Sequence, residues 1–293
     1  MKLRDVFDFL GKKFQKILEK PILTNSLVLV IVAIVVILAS LDYYINDFDN
    51  FLKEVLAEAH GMIFDIAIIG MLIFWLNQRG ETRLRIKSYK DEIDDFRIWE
   101  SEEAAFRTAG NIKRLNRHKI YNLNLVNCFL EKANLNYVNL TGANLNYANL
   151  SNTNLIDAKL ENARLNQTRF ENGNLNQASF CSSFANGASF KDANLIKSRF
   201  FNAFLIKADF TNAFLMEADL KGAYLTGADL TNANLYKADL RNAKGLSIDQ
   251  LLKVRTLYLA KFDPEITTIL QHQHPEYLGA SFNEKHKVSE PIN

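Results

Sequence analysis

The feature that most constrains this chain is a five-residue period between Leu125 and Leu240. Every fifth residue in this interval is Leu or Phe, except at Ala185, and one register holds over twenty-four consecutive positions. The residue two places earlier is usually Ala and otherwise mostly another small residue. A period of five fits neither the 3.6-residue turn of an α-helix nor the alternation of a β-strand. The segment therefore has to be a repeat architecture.

The repeating unit reads Ala-(Asn or Asp)-Leu-x-x, with clear copies starting at Ala143, Ala193 and Ala228. One bulky and one small side chain per unit suit a narrow, close-packed interior. Backbone hydrogen bonds then have to join successive coils at a spacing of about 4.8 Å. Four units carry glycine at the second variable position, which indicates a corner with a relaxed φ. These glycines are Gly142, Gly187, Gly222 and Gly227.

This pattern resembles the pentapeptide repeat family, and we assign residues 120–245 to it. The resemblance implies a right-handed, four-sided β-helix with one pentapeptide on each side, so twenty-four units make about six coils. Some members of the family resemble duplex DNA in shape and charge and bind DNA gyrase through an acidic column. Residues 121–245 contain twelve basic and ten acidic residues, which is near neutral. We therefore expect no such DNA mimicry, and we expect no nucleic acid partner.

Two apolar stretches precede the repeats and predict a transmembrane hairpin. Residues 22–41 carry no charge and are long enough to cross a bilayer, and residues 61–77 contain a single acid, Asp65. Basic residues dominate segment 1–21 and the residues after the second stretch, whereas acids dominate the predicted loop 42–60. The positive-inside rule then places that loop outside and both termini in the cytoplasm. This predicts an integral protein of a bacterial inner membrane, with the lipid bilayer as one partner.

Residues 78–119 predict a helical connector and an N-terminal cap. One helix is expected from Glu81 to about Trp99 and a second from about 102 to 116, with Ile112 and Leu115 over the first coil. The first helix has an apolar stripe that either packs on the core or forms an oligomer seam. The stripe consists of Ile86, Tyr89, Ile93 and Phe96.

Residues 246–278 predict helical caps and a last rung after the repeats. Ser247 and Gln250 fit a capping box that starts a short helix through about Val254. The polar segment 279–293 predicts a flexible tail. The expected fold is thus a membrane-anchored α+β protein: a two-helix transmembrane hairpin, a helical connector, and a four-sided β-helix with helical caps.

Outward aromatic residues one coil apart provide a candidate interaction surface. Phe184, Phe204 and Tyr224 are twenty residues apart and therefore stack on one side, and Phe201 and Ile206 lie close to them. Such a row is either a partner surface or a device for stability alone. The shift of the large residue from position 185 to 184 leaves two alternatives open, a locally thin core or an exposed Phe184.

A second row of side chains on another side predicts a structural ladder. Side-chain amides stacked one coil apart are able to bond along the column. The row consists of Asn134, Asn154, Asn174 and Asn194.

No grouping of residues predicts catalysis, a cofactor or a metal. The spacing of Cys128 and Cys181 gives no metal or redox motif, and His272 and His274 lack a third ligand. Asp65 is a candidate intramembrane polar site, because an acid in an apolar span is costly. The plainer interpretation is that Asp65 lies near the outer surface and reaches water.

We therefore predict a non-enzymatic, membrane-tethered scaffold that presents a rigid β-helix to an unknown protein partner in the cytoplasm. The alternative is an oligomeric membrane effector or channel built from the hairpin, which requires a homo-oligomer with Asp65 and Gly70 facing its interior. A gyrase-binding DNA mimic is the least favoured of the three.

Overall fold

The computed structural model describes residues 21–39 and 48–279, in two compact units, Met1–Gly80 and Glu81–Asn293. The predicted N-terminal basic segment, the start of the predicted loop and nearly all of the predicted tail lie outside the described residues. The described helices are α1 (Pro21–Ala39), α2 (Phe48–Asp95), α3 (Glu102–Arg117), α4 (Ile248–Leu251), α5 (Pro264–Gln273) and a 3-10 helix (Pro275–Leu278). The coils of the repeat lie between α3 and α4.

The boundaries of α2 differ from the predicted hairpin and connector. Residues 48–60, expected in a loop, are helical, and α2 continues to Asp95 without a break after residue 77. Gly70 and Gly80 each cost about 1 kcal/mol relative to alanine in a helix, and the surrounding Leu, Ile, Glu and Arg residues favour it. Among the described helices, α2 is the one long and apolar enough to cross a membrane, and α1 contributes the shorter apolar segment Val30–Ala39.

Each coil of the repeat contains twenty residues. Parallel bridges join residues twenty positions apart, from Asn124–Asn144 to Tyr224–Lys244, which confirms four pentapeptides per coil. The N–H of Leu125, for example, donates to the carbonyl oxygen of Asn144 over 2.7 Å. Within the described residues the bridges are isolated and form no extended strands, because the chain turns a corner after every bridged residue.

The coils have four sides, which we number by their first central residue. Side 1 starts at Leu125, side 2 at Leu130, side 3 at Leu135 and side 4 at Leu140. On every side the central residues and the small residues two places before them are buried. The residue before the centre and the two residues after it face outward, and they supply the whole surface of the repeat.

A stack of five phenylalanines fills the middle of the interior. On side 2 the ring of Phe190 stacks at 5.0 Å between centroids on both Phe170 and Phe210. On side 4 Phe180 and Phe200 stack at 4.8 Å. Rings from the two opposite sides meet edge to face at 5.6 to 5.8 Å. All five rings are fully buried.

The large side chain missing from the core at Ala185 is replaced by its neighbours. Ala185 is fully buried between the inward positions of Phe180 and Phe190, whose rings are 5.6 Å apart. Phe184 points outward and is 43% exposed. Of the two alternatives left open by the sequence, the exposed aromatic is therefore confirmed.

The Asn or Asp before each central residue closes a turn. Its side-chain oxygen accepts the backbone N–H two residues later, as between Asp229 and Thr231 (2.9 Å). The predicted ladder along side 3 is wrong in this respect, because Asn134, Asn174 and Asn194 make this local bond instead of bonding to each other. Such local bonds are typical of Asn side chains. Asn154 is the exception in this row, since the N–H of Ile156 donates to Asn136 of the preceding coil over 2.9 Å.

The second residue after each central position adopts a left-handed conformation. Gly187 and Gly222 have φ values of 64° and 67°, as predicted. Many non-glycine residues take the same conformation there, among them Asn127 (φ 56°) and Asn202 (φ 54°). Asn tolerates this region better than most residues because its short polar side chain bonds locally. The corner thus accepts polar residues as well as glycine.

Helix α3 closes the first coil. Ser101 caps its N-terminus by accepting the N–H of Ala104 (3.1 Å), and Ile112 and Leu115 are fully buried against the core, as predicted. Ile93 is buried too, and Ile86 and Tyr89 pack against the same core. Within Glu81–Asn293 the stripe is therefore a core-packing surface.

Two side chains satisfy the open backbone of the first coil. The amide of Asn116 accepts the N–H of Asn139 (2.6 Å) and donates to its carbonyl (2.9 Å), so it pairs as a neighbouring strand does. The guanidinium of Arg97, which also bonds to Asp94, donates to the carbonyl of Val126 (2.7 Å). An exposed sheet edge invites pairing with other chains, and these side chains cover it.

Burial raises the pKa of the Cys128 thiol to about 11. Cys128 fills one of the small inward positions of the first coil and is almost fully buried. Its thiol is therefore neutral near pH 7 and behaves as a small apolar core residue.

The last coil is closed by α4 and one additional rung. Ser247 and Gln250 form the predicted capping box, although α4 ends at Leu251 instead of near Val254. The following bridges, Asn234–Thr256 and Asp239–Lys261, join residues twenty-two positions apart instead of twenty, because α4 adds residues to this turn.

Candidate interaction surface and family membership

The aromatic column of side 1, formed by Phe184, Phe204 and Tyr224, is stacked as predicted. The ring of Phe204 is nearly parallel to that of Phe184, with centroids 5.0 Å apart, and to that of Tyr224, with centroids 4.5 Å apart. At the end of the column, the Lys244 ammonium lies 4.5 Å from the centroid of Tyr224 and donates to its hydroxyl over 2.9 Å. The rings cover each other's faces, so their edges point to solvent.

The other two candidate residues flank this column. Phe201 and Ile206 lie at the two corners beside Phe204 in the same coil. Phe201 is 45% exposed, whereas Ile206, Phe204 and Tyr224 are half-buried. The structure thus stacks three of the five predicted residues directly and places the other two at the borders of the same side.

The aromatic residues occupy positions where other sides carry a turn-closing Asn or Asp. Without that acceptor, the N–H groups of Asn186 and Ile206 need another partner. They donate to the side chains of Asn166 and Asn186 in the preceding coil, at 3.2 Å each. Asn146 does the same for the N–H of Asn166 at 2.9 Å. This amide ladder closes the turns after Arg164, Phe184 and Phe204, so these positions need no turn-closing side chain of their own.

Among the described residues, four ion pairs within the repeat lie on the other three sides: Arg169–Glu171, Lys197–Glu217, Lys221–Asp219 and Arg241–Asp239. On side 4 the side chain of Arg241 bonds to Asp239 over 2.6 Å and holds the pKa of that carboxyl below its usual range. On side 2 Arg169 bonds to Glu171 over 2.8 Å and lowers its pKa in the same way. Such exposed pairs contribute little stability, about 0 to 1 kcal/mol each, but they neutralise those sides locally.

Several exposed aromatic residues were missed from the sequence. Tyr137 and Tyr147 are 74% and 62% exposed, more than any ring of the column. Both occupy the second position after a central leucine, which faces outward on every side, so the register alone would have identified them. Phe106 of α3 is 80% exposed beside a groove of about 560 Å³ between α3 and the first coil.

Asp65 lies within α2 with its side chain exposed, as are the apolar residues around it. Among the described residues, its carboxylate forms no ion pair and no hydrogen bond. Its role as an intramembrane polar site stays a prediction. In the described ranges no group of three or more His, Cys, Asp or Glu side chains is arranged to hold a metal ion.

Comparison with known proteins identifies the repeat. Residues 121–146, 133–172, 174–212 and 213–244 match the family model for pentapeptide repeats, in eight copies. A comparison with curated protein sequences gave no match.

Similar solved structures include trypsin-treated QnrB1, a plasmid-mediated fluoroquinolone resistance protein, with 21% identity over 52% of this chain and 86% of that chain and a TM-score of 0.39. HetL, involved in heterocyst differentiation regulation in the cyanobacterium Nostoc, shows 24% identity over 47% and 74% of the two chains and a TM-score of 0.26. A pentapeptide repeat protein from the thylakoid lumen of Arabidopsis thaliana shows 23% identity over 42% and 68%, with a TM-score of 0.16. The repeat region of this chain, residues 121–244, is thus similar to the pentapeptide repeat family.

Proposed function

We propose that this protein is a non-enzymatic scaffold, tethered to a membrane by its apolar helices, that presents one side of its β-helix to a protein partner. The observation that carries the proposal is the aromatic column of side 1. Its three rings replace residues that close turns elsewhere, and the asparagine ladder closes the turns after Phe184 and Phe204. The fold therefore does not need aromatic residues at these positions, which favours a surface used for binding.

The membrane tether is supported by the surface of α2. Between Met62 and Leu76 its apolar side chains are exposed all around the helix, as for Phe64 (68%) and Met71 (67%). A helix that is apolar all around needs an apolar environment. At the end of this segment the Arg79 guanidinium lies 3.7 Å from the ring centroid of Trp75, a pairing suited to the bilayer interface.

Replacing Ile69 by Arg is expected to release the protein from the membrane. An arginine in the centre of an apolar span costs about 2.5 to 3.5 kcal/mol on insertion scales. The measurement is the fraction of full-length protein that stays in the membrane pellet after alkaline carbonate extraction. Leu84→Arg is the matched control, since Leu84 is 70% exposed on the same helix beyond the apolar segment. Complete extraction of the wild-type protein by carbonate would rule the tether out.

Replacing Phe204 and Tyr224 together by Asn is expected to abolish partner capture without unfolding the repeat. Asn is the residue that most often occupies the same position on side 3, where it closes its own turn. The measurement is co-purification of crosslinked partners with the full-length protein, with circular dichroism to verify the fold.

Tyr137→Asn provides the control, because it removes an exposed ring of side 3, away from the column. The proposal predicts that this control keeps the partners that the column variant loses. If both variants retain the same partners as the wild type, the aromatic column is not the binding surface.

The near-neutral charge of the repeat favours a scaffold over a DNA mimic, which needs an acidic column. The channel built from the hairpin stays a prediction from the sequence.

A further inference from the structure

Side 1 carries no acidic residue. Its outward residues lie within 124–127, 144–147, 164–167, 184–187, 204–207 and 224–227, all of which the structure describes, and none is Asp or Glu. Lys244 extends the same side by one rung. Each of the other three sides carries at least two acids in the same coils, including Asp209 on side 2, Glu217 on side 3 and Asp219 on side 4.

Three basic residues surround the aromatic column on this side. Arg164 precedes Phe184 in the column, Lys244 follows Tyr224, and Lys207 lies at the corner beside Phe204. Within the part of the chain that the structure describes, none of these three residues forms an ion pair with a carboxylate. The column is therefore an apolar centre between positive groups that no carboxylate of the repeat neutralises, in contrast to the paired arginines of sides 2 and 4.

The orientation of the rings adds to this positive character. An aromatic ring is negative over its faces and positive along its edge. The faces of Phe204 are covered by Phe184 and Tyr224, and Lys244 lies over Tyr224. What reaches solvent is a row of ring edges, which complements carboxylate oxygens and the apolar side chains between them.

We propose that the aromatic column of side 1, with Arg164, Lys207 and Lys244, is a docking site for an acidic protein segment that carries apolar side chains between its carboxylates. The proposal rests on the proposed function, whose partner class it specifies. From Arg164 to Lys244 the column covers four coil spacings, about 19 Å at about 4.8 Å each, which an extended peptide of about six residues matches. Opposite charges on the two partners set the specificity and speed of encounter.

A single-stranded nucleic acid fits this surface less well. Its bases bind proteins by stacking on the faces of aromatic rings. Here both faces of Phe204 and Tyr224 are covered by neighbouring rings or by Lys244, which leaves the outer face of Phe184. The surface offers positive charge to the phosphates but at most one ring face on which a base could stack.

The test is binding of three fluorescent probes to the full-length protein in detergent, followed by fluorescence anisotropy. The probes are a peptide of about eight residues alternating Glu and Leu, the same peptide with Lys for Glu, and an oligothymidylate. We expect the acidic peptide to bind, its affinity to fall as salt rises, and the basic peptide not to bind. Preference for the oligothymidylate, or equal binding of both peptides, would overturn the proposal.

A charge-reversal variant identifies the site. We expect the affinity for the acidic peptide to fall by about tenfold or more when three substitutions are combined, Arg164→Glu, Lys207→Glu and Lys244→Glu. The control changes net charge equally on the other three sides, through Lys159→Glu, Lys191→Glu and Lys237→Glu, and should bind as the wild type does. Equal weakening by both triple variants would mean that net charge, and not side 1, attracts the peptide.

The two proposals fail in different ways. If the Phe204→Asn, Tyr224→Asn variant loses its crosslinked partners while reversal of the three charges changes neither peptide binding nor capture, the scaffold stands and the acidic partner does not. If neither variant changes capture, side 1 is not a binding surface and both proposals fail.

Discussion

Replacing Phe190 by Ala is expected to destabilise the β-helix by about 3 to 5 kcal/mol, the range for removing a buried aromatic ring from a core. Phe190 contacts four other phenylalanines, stacking on Phe170 and Phe210 and meeting Phe180 and Phe200 edge to face. The preceding inward position is already small, at Ala185. Two neighbouring sides would then lack a large side chain, and the coil would have nothing with which to fill the cavity.

The measurement is denaturant unfolding of the full-length protein in detergent, followed by circular dichroism in the strand region. Repeat proteins are able to unfold unit by unit, so the variant and the wild type should be compared by both the midpoint and the slope of the unfolding curve. Phe184→Ala is the matched control, since it removes the same ring from the surface and is expected to cost about 1 kcal/mol in lost stacking. A Phe190→Ala variant as stable as Phe184→Ala would contradict the stacked core.

Replacing Gln250 by Met is expected to cost about 2 to 3 kcal/mol, because at nearly constant side-chain volume it leaves the Ala228 carbonyl and the Ser247 N–H without their partner and removes one of the two bonds to the Leu225 carbonyl. The Gln250 amide nitrogen donates to the carbonyls of Leu225 (2.9 Å) and Ala228 (2.8 Å), and its oxygen accepts the N–H of Ser247 (2.8 Å). One side chain thus starts α4 and closes the open end of the sheet.

Comparison with Ser247→Ala separates these two roles. That variant removes the other half of the capping box and should cost about 1 kcal/mol, the usual value for an N-cap. Unfolding midpoints of both variants and of the wild type provide the test. If Gln250→Met costs no more than Ser247→Ala, the bonds to Leu225 and Ala228 contribute nothing to stability, and closure of the end depends on apolar packing alone.

The two ends of the repeat show which contacts the sequence predicts and which it does not. Ser247 and Gln250 are recognisable as a capping box because that motif is local, with both partners three residues apart. The bonds from Gln250 to the previous coil are not recognisable, since they join residues more than twenty positions apart. The same applies to Asn116, whose pairing with Asn139 depends on where α3 lies over the first coil.

In the candidate surface, too, one feature was predicted from the sequence and another was not. A twenty-residue separation was enough to predict that Phe184, Phe204 and Tyr224 stack, because the resemblance to pentapeptide repeats implies four units of five residues in each coil. The takeover of turn closure by Asn146, Asn166 and Asn186 was not predicted. These asparagines each follow a central residue directly. The sequence does not show whether such an asparagine bonds within its own turn or to the next coil, and only the geometry distinguishes the two cases.

The sequence by itself determined the repeat, its register and the inward and outward residues, because a strict five-residue period leaves one way to bury every Leu or Phe. The number of coils followed from the resemblance to pentapeptide repeats, which implies four units per coil. The sequence also indicated the apolar helices, through length and composition, but misplaced the boundaries of α2, where helix formers continue through both predicted breaks. The tertiary structure decided which polar groups satisfy each other between coils and at the ends. It also decided that the rings of side 1 cover each other's faces, since such contacts depend on side-chain positions that a period in the sequence does not specify.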